Sequence, residues 1–573
     1  MQAGGRRFDP GHVHQLPSRI FDRLLIEGLP NLARLEKKTK VVLPPDRRCL
    51  GAADLPLLHA DVTIAVLGYQ AAASTRHQFA WRSAALCHRM STTTIRLRFA
   101  DCIRPEVRPR IDYAFRVFAA IYGYCVVAPE DHAASCCLYG AGAGIRSENY
   151  EFLIPARYSA RTPSCATAPL SKHRYAGEDL FLAFGVDESS GRPDWLGEIF
   201  SWLSAELERS IDQRDSVGRI PYSETVFHRQ GLSPLDSHAG RLMAWFENAL
   251  RGNDGFEALP KAPSPLPNVN HAVIASHDID FYLTNKSDAF RRLSKNIVLS
   301  ATHYRSASFC RSNVRMFAGL LGGEQIGDYI PRMVDEIQSL GFRSTLFAVA
   351  EGRHRRDPDY EITRIAPRLR DAAAKGFEVA LHGSYDSVIV SRSLESETEA
   401  LKAAAGKRPI GGRQHWLRFG RQDQLYRCIT DAKLAYDSSL GFAETCGFRN
   451  GACFSFPPYD FENERACSFL EIPLVIMDGS LHLASQRLGK ASQVIADKIL
   501  AESRSLGWGG IAILWHNPIE PLQVPAEINE VFWNSAKKRK EYGEEWMSAQ
   551  EFLKAGLCRY QNAGLLKEVR VDA

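Results

Sequence analysis

The second half of the chain alternates between two patterns of hydrophobic residues. Between residues 325 and 340, apolar side chains recur every three or four positions and Gly341 follows, which is typical of a helix with one buried face. Short apolar runs on either side predict strands. The predicted series is strand 271–276, helix 325–340, strand 344–350, helix 361–375, strand 377–381 and helix 394–405. Repeated strand–helix units favour a parallel sheet covered by helices.

The first half of the chain has a less regular pattern, which predicts a mixed α/β domain of unknown role over residues 1–255. Its predicted strands are 39–43, 62–67, 94–99, 125–128 and 180–185, and its predicted helices are 110–122, 194–209 and 239–251. Closely spaced prolines, which disfavour both helix and sheet, then predict a linker at 256–269. The strand–helix units occupy 270–560 and leave a C-terminal tail, 561–573.

Composition excludes several classes of protein. With 573 residues, 45% hydrophobic and 24% charged, the chain has the composition of a globular protein rather than a disordered one. A net charge of +5 is too small to indicate nucleic acid binding. No apolar run approaches the roughly 18 residues of a membrane span, so we expect no integral membrane segment.

Two further features predict a reducing, cytoplasmic location. The first residues lack the apolar stretch of a secretory leader, and the 13 cysteines are scattered without a C-x-x-C pair. The sequence gives no indication of oligomeric state.

Acidic and histidine residues follow two of the predicted strands. Asp278 and Asp280 lie two positions apart and emerge on the same side if the strand continues through them. Two acids at the end of a strand suit a metal ligand and a general base, although an isolated pair of this kind also occurs as a loop cap. His382 and Asp386, four residues apart, follow a later strand and are candidates for the same site.

Two more clusters lie near the ends of later strands. Arg413 and His415 lie among apolar and aromatic residues, where a charged side chain needs a partner, so we expect a carboxylate beside Arg413. His516 follows the apolar run 509–515 and suits an acid or a base near a metal ion. The alternative for His516 is a structural histidine that covers the end of the sheet.

Taken in order, these clusters resemble the motifs of the polysaccharide deacetylase family. These metal-dependent enzymes, which include chitin, chitooligosaccharide and peptidoglycan deacetylases, have a distorted (β/α) barrel. The set is more specific than any one of its members. Among the similar segments, Ser276-His-Asp-Ile-Asp resembles the T-F-D-D motif, Gly376-Phe-Glu-Val-Ala-Leu-His resembles G-H-E-I-G-x-H, and Leu514-Trp-His resembles L-x-H. The similarity extends over 270–558 and is closest to a branch with R-Q-H-x-L-R-F, G-F-R-x-G and L-W-H-N motifs. Members of that branch often carry an uncharacterised α/β domain first.

The resemblance implies a fold, a cofactor and roles for individual residues. The implied fold is α/β, a distorted (β/α) deacetylase barrel preceded by a mixed α/β domain, and the implied cofactor is a divalent metal, with zinc as the first choice. By resemblance, Asp278 is the general base, Arg413 orients it, and His516 is the general acid. Asp280 and His382 are metal ligands on the same grounds.

The chain departs from the family at two points, and each leaves alternatives open. Asp386 stands where the family usually has a second histidine, so the third ligand is Asp386 or His415, or the metal has been lost. The family has two adjacent aspartates, so the roles of Asp278 and Asp280 could be exchanged.

The implied reaction hydrolyses the amide of an N-acetylated sugar, such as a bacterial surface-glycan intermediate. Trp416 and Tyr385 are candidates for stacking on a sugar ring. Two alternatives stay open, a glycan-binding protein without catalytic activity on the same barrel and a hydrolase of a non-sugar amide.

Overall fold

The structure is a computed structural model. It describes residues 93–132, 134–140, 151–158, 169–175, 177–252, 270–283, 286–302, 307–324, 326–358, 360–390, 392–567 and 569. Residues from Ser91 to Ala573 belong to one compact unit. The predicted strands 39–43 and 62–67 and the predicted linker 256–269 lie outside the described residues.

A small parallel sheet opens the described part of the chain. Its strands are β1 (Thr94–Phe99), β2 (Cys125–Val126), β3 (Ser135–Tyr139) and β4 (Glu151–Ile154), in the order β2-β1-β3-β4. The elements that accompany it are helix α1 (Arg108–Tyr122), the hairpin of β5 (Ser171–Tyr175) and β6 (Glu178–Leu182), and helices α2 (Trp195–Leu203), α3 (Val226–Arg229) and α4 (His238–Arg251). The predicted strand 94–99 and helices 110–122 and 239–251 are confirmed, whereas the predicted helix 194–209 ends early, at Leu203.

The second half of the chain forms a larger parallel sheet. Its strands are β7 (His271–Ile279), β8 (Thr345–Ala348), β9 (Glu378–Gly383), β10 (Gly411–Gln414), β11 (Tyr436–Asp437), β14 (Leu470–Glu471), β15 (Leu474–Met477), β16 (Gly509–Leu514) and β17 (Glu544–Met547), with β12 (Tyr459–Asp460) and β13 (Arg465–Ala466) in a separate hairpin. The order is β14-β11-β10-β9-β8-β7-β16-β15, and β17 also pairs with β7. Every residue of β7 and β16 is buried, as expected for strands covered on both faces.

The two edges of this sheet are joined by one short segment of chain. β14 and β15 are separated only by Ile472 and Pro473. The backbone N–H of Ile472 donates to the carbonyl oxygen of Asp437 in β11, and the N–H of Ala512 in β16 donates to the carbonyl oxygen of Pro473. Segment 470–477, which contains both edge strands, therefore bonds to β11 on one side and β16 on the other, so the sheet is curled in a way compatible with a distorted barrel.

Helices cover the outside of the sheet. They are α5 (Lys286–Thr302), α6 (Ala307–Leu321), α7 (Ile330–Ser339), α8 (Ile362–Ala374), α9 (Ser393–Ala405), α10 (Gln422–Asp431), α11 (Asp478–Leu488), α12 (Ser492–Leu506), α13 (Ala526–Lys538) and α14 (Ala549–Asn562). The predicted strand–helix alternation is confirmed, with the first helix beginning at Ile330, where Pro331 occupies the first turn. Within the described ranges, no helix is both long and apolar enough to cross a bilayer.

Candidate metal centre

Polar side chains from four strands meet at the end of the large sheet where these parallel strands have their carboxyl ends. They come from the end of β7 and the residue after it, from β9, from β10 and its continuation, and from the segment after β16; they are Asp278, Asp280, His382, Arg413, His415 and His516. The carboxyl ends of parallel strands open on the same side of a sheet, which is why residues far apart in sequence meet here. The expectation that Asp278 and Asp280 emerge on the same side is confirmed, since their carboxylates lie 3.6 Å and 3.3 Å from His382 Nε2.

Three of these residues form a group that could hold a metal ion. The ligand atoms of Asp280, His382 and His415 lie within 4.8 Å of one another. His382 Nε2 is 3.3 Å from Asp280 Oδ1, and His415 Nε2 is 3.6 Å from Asp280 Oδ2. Both histidines are buried, and the Asp280 side chain is 15% exposed. The group is therefore largely shielded from solvent.

The second ring nitrogen of each histidine is held by an acceptor. His382 Nδ1 lies 2.9 Å from the carbonyl oxygen of Arg413, and His415 Nδ1 lies 3.3 Å from Asp357 Oδ1. In a neutral ring the hydrogen therefore sits on Nδ1, which leaves the Nε2 lone pair directed at Asp280. Metal-binding histidines are oriented in the same way by carboxylate or carbonyl partners.

The donor set fits a divalent metal ion. Asp280 Oδ1 is buried and forms no hydrogen bond of acceptable geometry, although His382 Nε2 lies 3.3 Å away. A buried oxygen without a partner is costly, and a cation at this position would supply the missing interaction. Two imidazole nitrogens and one carboxylate suit zinc and also iron(II), so these donors do not select one metal.

Asp386, the residue predicted as a third ligand, lies outside this group. Its Oδ1 accepts a hydrogen bond from Arg418 Nη1 at 2.9 Å, and Arg418 is anchored in turn by the carbonyl oxygens of Tyr385 and Val217. The Asp386 side chain is 43% exposed. The structure therefore favours His415, the alternative named in the sequence analysis, for the third position.

Arg413 binds the carboxylate that the sequence analysis expected beside it. Its Nη1 donates to Asp278 Oδ1 at 2.8 Å and to Ser276 Oγ at 2.9 Å, and its remaining N–H groups bond to Ser438. Arg413 and Asp278 are both buried, so these bonds are needed to offset the loss of hydration. Asp278 Oδ2 stays 3.6 Å from His382 Nε2, beside the candidate metal-binding group.

His516 faces the same group from β16 and is held by Asp478. His516 Nδ1 lies 2.8 Å from Asp478 Oδ1, and its backbone N–H donates to Oδ2. His516 Nε2 lies 3.4 Å from Asp280 Oδ2. Burial alone would lower the pKa of His516, but Asp478 and Asp280 raise it well above its ordinary value.

Neighbouring charged groups also shift the pKa values of His415 and Asp280, two of the three candidate ligands. Although burial lowers it, the pKa of His415 is raised to about 9 by Asp280 and Asp357. Burial raises the pKa of Asp280, but His415 and the other histidines hold it well below its ordinary value. The site thus stabilises charge of both signs at short range, as expected at a functional site.

Two residues of the site were not found by sequence reasoning. Asp478 directly follows β15, so it carried the same strand-end signal as the other site residues. Asp357 lies in the loop after β8 and accepts backbone N–H bonds from Arg353, His354 and Tyr385 as well as facing His415. No periodicity marks such a loop residue.

The residues predicted to stack on a sugar ring have different surroundings. The ring of Tyr385 is stacked on His354, with centroids 4.3 Å apart, and the Arg418 guanidinium lies 4.2 Å over it. The Tyr385 ring therefore already packs against an imidazole and a guanidinium group, and its stacking on a sugar ring stays a prediction. Trp416 is half-buried and has a φ of 65°, followed by Leu417 at 51°. Two successive non-glycine residues in the left-handed region are strained, and they turn the chain away directly after His415.

Comparison with known proteins adds no assignment. A scan against models of protein families and a search of curated proteins both found no match to this chain.

Proposed function

We propose that this protein is a metal-dependent hydrolase that removes acetyl groups from an N-acetylated sugar or glycan intermediate. One observation carries the proposal. The carboxyl end of the sheet combines a group that could hold a metal ion with two flanking pairs, Asp278–Arg413 and His516–Asp478. A metal, a base and an acid in one place are what amide hydrolysis requires. The choice of an acetylated sugar is what the resemblance of the motifs to those of polysaccharide deacetylases implies.

The contacts support different roles for the two aspartates. Asp280 is the carboxylate that lies near both His382 and His415, which suits a ligand. Asp278 is fixed by Arg413 instead, which suits a base. The proposal therefore keeps the assignment implied by the resemblance and does not exchange the two residues.

Each of the remaining residues has a task in the proposed reaction. A divalent ion in the group would lower the pKa of water and polarise the amide carbonyl. Asp278 has one oxygen bound to Arg413 and the other available to accept a proton from the attacking water. His516, with Nδ1 held by Asp478, presents Nε2 to the same space and can donate a proton to the leaving nitrogen. The products are acetate and a free amine.

The proposal is tested by acetate release from N-acetylated oligosaccharides. Zinc-loaded wild-type protein is compared with Asp278→Asn and His516→Gln. We expect release by the wild type and a loss of about 100-fold or more in each variant, because general acid–base catalysis contributes about 10²–10⁴-fold. The metal content of the Asp278→Asn protein should stay equal to that of the wild type. Asp386→Asn, which alters a half-buried aspartate outside the group, is the matched control and should keep full activity.

Two outcomes would replace the proposal by one of its alternatives. A wild type that binds metal and oligosaccharide without releasing acetate, and binds equally well after Asp278→Asn, would be a glycan-binding protein. Release of acetate from simple acetamides but not from sugars would make it a hydrolase of a non-sugar amide.

A further inference from the structure

The hairpin of helices α5 and α6 exposes several large apolar side chains. Of the nine large hydrophobic side chains that are exposed in the described part of the chain, four lie on this hairpin: Phe290, Val298, Val314 and Leu321. Leu321 is 71% exposed. Single exposed apolar residues are common on protein surfaces, whereas several on one element indicate an interaction surface.

The exposed residues of each helix lie on one face. On α6 they recur every three or four positions and are Ala307, Arg311, Val314, Arg315, Ala318 and Leu321. On α5 they are Lys286, Ser287, Phe290, Arg291 and Val298. The opposite faces contact a small core separate from the main one, made of Ala289, Leu293, Leu320, Ile326 and Leu522. Each helix is therefore amphipathic, with arginines and apolar side chains together on its outer face.

The hairpin is strongly basic. Residues 286–302 and 307–324 contain six basic side chains, Lys286, Arg291, Arg292, Lys295, Arg311 and Arg315, against two acidic ones, Asp288 and Glu324. The resulting charge of +4 compares with +5 for the whole chain. Arg311 and Arg315 form no ion pair with any residue that the structure describes. Their charge is therefore available to an external partner.

Both ends of the hairpin are attached to segments that carry the candidate metal centre. α5 begins six residues after Asp280. Beyond α6, Gly327 N and Arg332 Nη2 donate to the carboxylate of Glu520, which lies four residues after His516. The hairpin is therefore joined at both of its ends to segments that adjoin the site.

We propose that the outer face of this hairpin docks on an anionic membrane surface. Helices that carry arginine and large apolar residues on an exposed face bind at the headgroup boundary, where the cations meet lipid phosphate and the apolar side chains leave water. A second copy of this chain is a poorer occupant because it would bring two positive faces together. The inference goes beyond the proposed hydrolase, and docking would bring its site to substrates held at a lipid surface.

Sedimentation with vesicles tests the docking surface. The full chain should sediment with vesicles of phosphatidylglycerol and phosphatidylcholine and stay in solution with phosphatidylcholine alone. Arg311→Glu/Arg315→Glu should lower the partition coefficient by more than about 25-fold, because each basic residue near such a surface contributes about fivefold. Val314→Asp/Leu321→Asp should also weaken binding. All four positions are exposed, so circular dichroism should show an unchanged fold.

Lys407→Glu/Lys554→Glu is the matched control, because it changes the net charge equally at two exposed lysines outside the hairpin. It should leave vesicle binding intact. The proposal would be overturned if the wild type did not bind anionic vesicles. It would also be overturned if the control lost as much binding as Arg311→Glu/Arg315→Glu. So would an oligomer in light scattering that Val314→Asp/Leu321→Asp makes monomeric without any vesicle binding. Vesicle binding is measured without substrate, so its failure is distinct from a failure of the proposed hydrolase.

Discussion

Asp357 orients a candidate ligand without belonging to the metal-binding group. Its carboxylate faces His415 Nδ1, and we expect Asp357→Asn to weaken zinc binding by about 10–100-fold, as loss of such a partner does in other metal sites. The measurement is competition for zinc with a chromophoric chelator. Asp386→Asn, a charge loss of the same kind at the originally predicted ligand, should leave zinc affinity unchanged. The reverse ranking of the two variants would restore Asp386 as the ligand.

Asp478 orients the ring of His516, just as Asp357 orients that of His415. Because Asp478 Oδ1 holds His516 Nδ1, the variant Asp478→Asn should lose control of the ring orientation and lower acetate release by about 100-fold or more. Zinc affinity should stay at the wild-type value, since Asp478 contacts none of the three candidate ligands. Full activity in Asp478→Asn would contradict the role of His516 as acid.

The sequence predicted the site residues that lie at strand ends and failed where a loop decides the contact. Asp278, Asp280, His382 and His516 follow apolar runs, so their convergence could be anticipated from parallel-sheet geometry. Spacing and the family's usual second histidine suggested Asp386, but His382 lies in β9 and Asp386 in the turn after it, and Arg418 binds the aspartate there. A separation of four residues brings side chains together in a helix and not across the end of a strand.

Helices and strands were predictable where one face or the whole element is apolar. The predicted helix 361–375 is observed as Ile362–Ala374, and strand 271–276 is observed as the longer His271–Ile279. Helices α5 and α6 were not predicted. Exposed apolar side chains such as Val314 and Leu321 blur the three-to-four periodicity that would have revealed them.

Gly447 allows the loop after β11 to approach the first half of the chain. Its φ is 133°, and a Cβ there would lie 2.1 Å from the carbonyl oxygen of Pro234, which accepts the N–H of Phe448. Gly447→Ala should therefore lower the free energy of unfolding by at least about 2 kcal/mol, measured by urea denaturation. Gly507→Ala, with an extended backbone and open space at its Cβ, should change it by less than about 0.5 kcal/mol. Equal free energies of unfolding for the two variants would argue against the close approach of Gly447 to Pro234.

Contacts between distant segments are what the sequence could not reveal about the whole molecule. The buried pair Arg449–Glu208, 3.0 Å apart, and the bond from Tyr113 Oη to the carbonyl oxygen of Pro457 join residues on both sides of the predicted linker. Likewise, the two sheet edges are joined by 470–477, a segment whose pattern gives no information about its partners. Hydrophobic periodicity reports which face of an element is buried and not what covers it.

The stability of the molecule should fall in mild acid. Burial lowers the pKa of His271 to about 3 and that of His238 to about 4, against an ordinary value of 6.5. Below pH 6.5 the unfolded chain binds protons that the folded chain excludes, so each histidine reduces the free energy of unfolding by up to about 1.4 kcal/mol per pH unit until its folded pKa is reached.

His238→Phe tests this pH dependence. Neither ring nitrogen of His238 has a hydrogen-bond partner within the described structure, and the ring stacks on Trp202, so an apolar ring should be tolerated. The variant should show a shallower loss of stability between pH 6.5 and 4 in urea denaturation, while Asp386→Asn should keep the wild-type slope. Identical slopes for wild type and His238→Phe would refute this contribution.

The central claim is that Asp280, His382 and His415 form a metal centre at the carboxyl end of the sheet. It is tested most directly by anomalous diffraction at the zinc absorption edge from crystals of the zinc-loaded protein. We expect one strong peak at about 2.0–2.2 Å from Nε2 of both histidines and a carboxylate oxygen of Asp280. A protein that takes up no zinc, or a peak bound elsewhere in the molecule, would contradict the account.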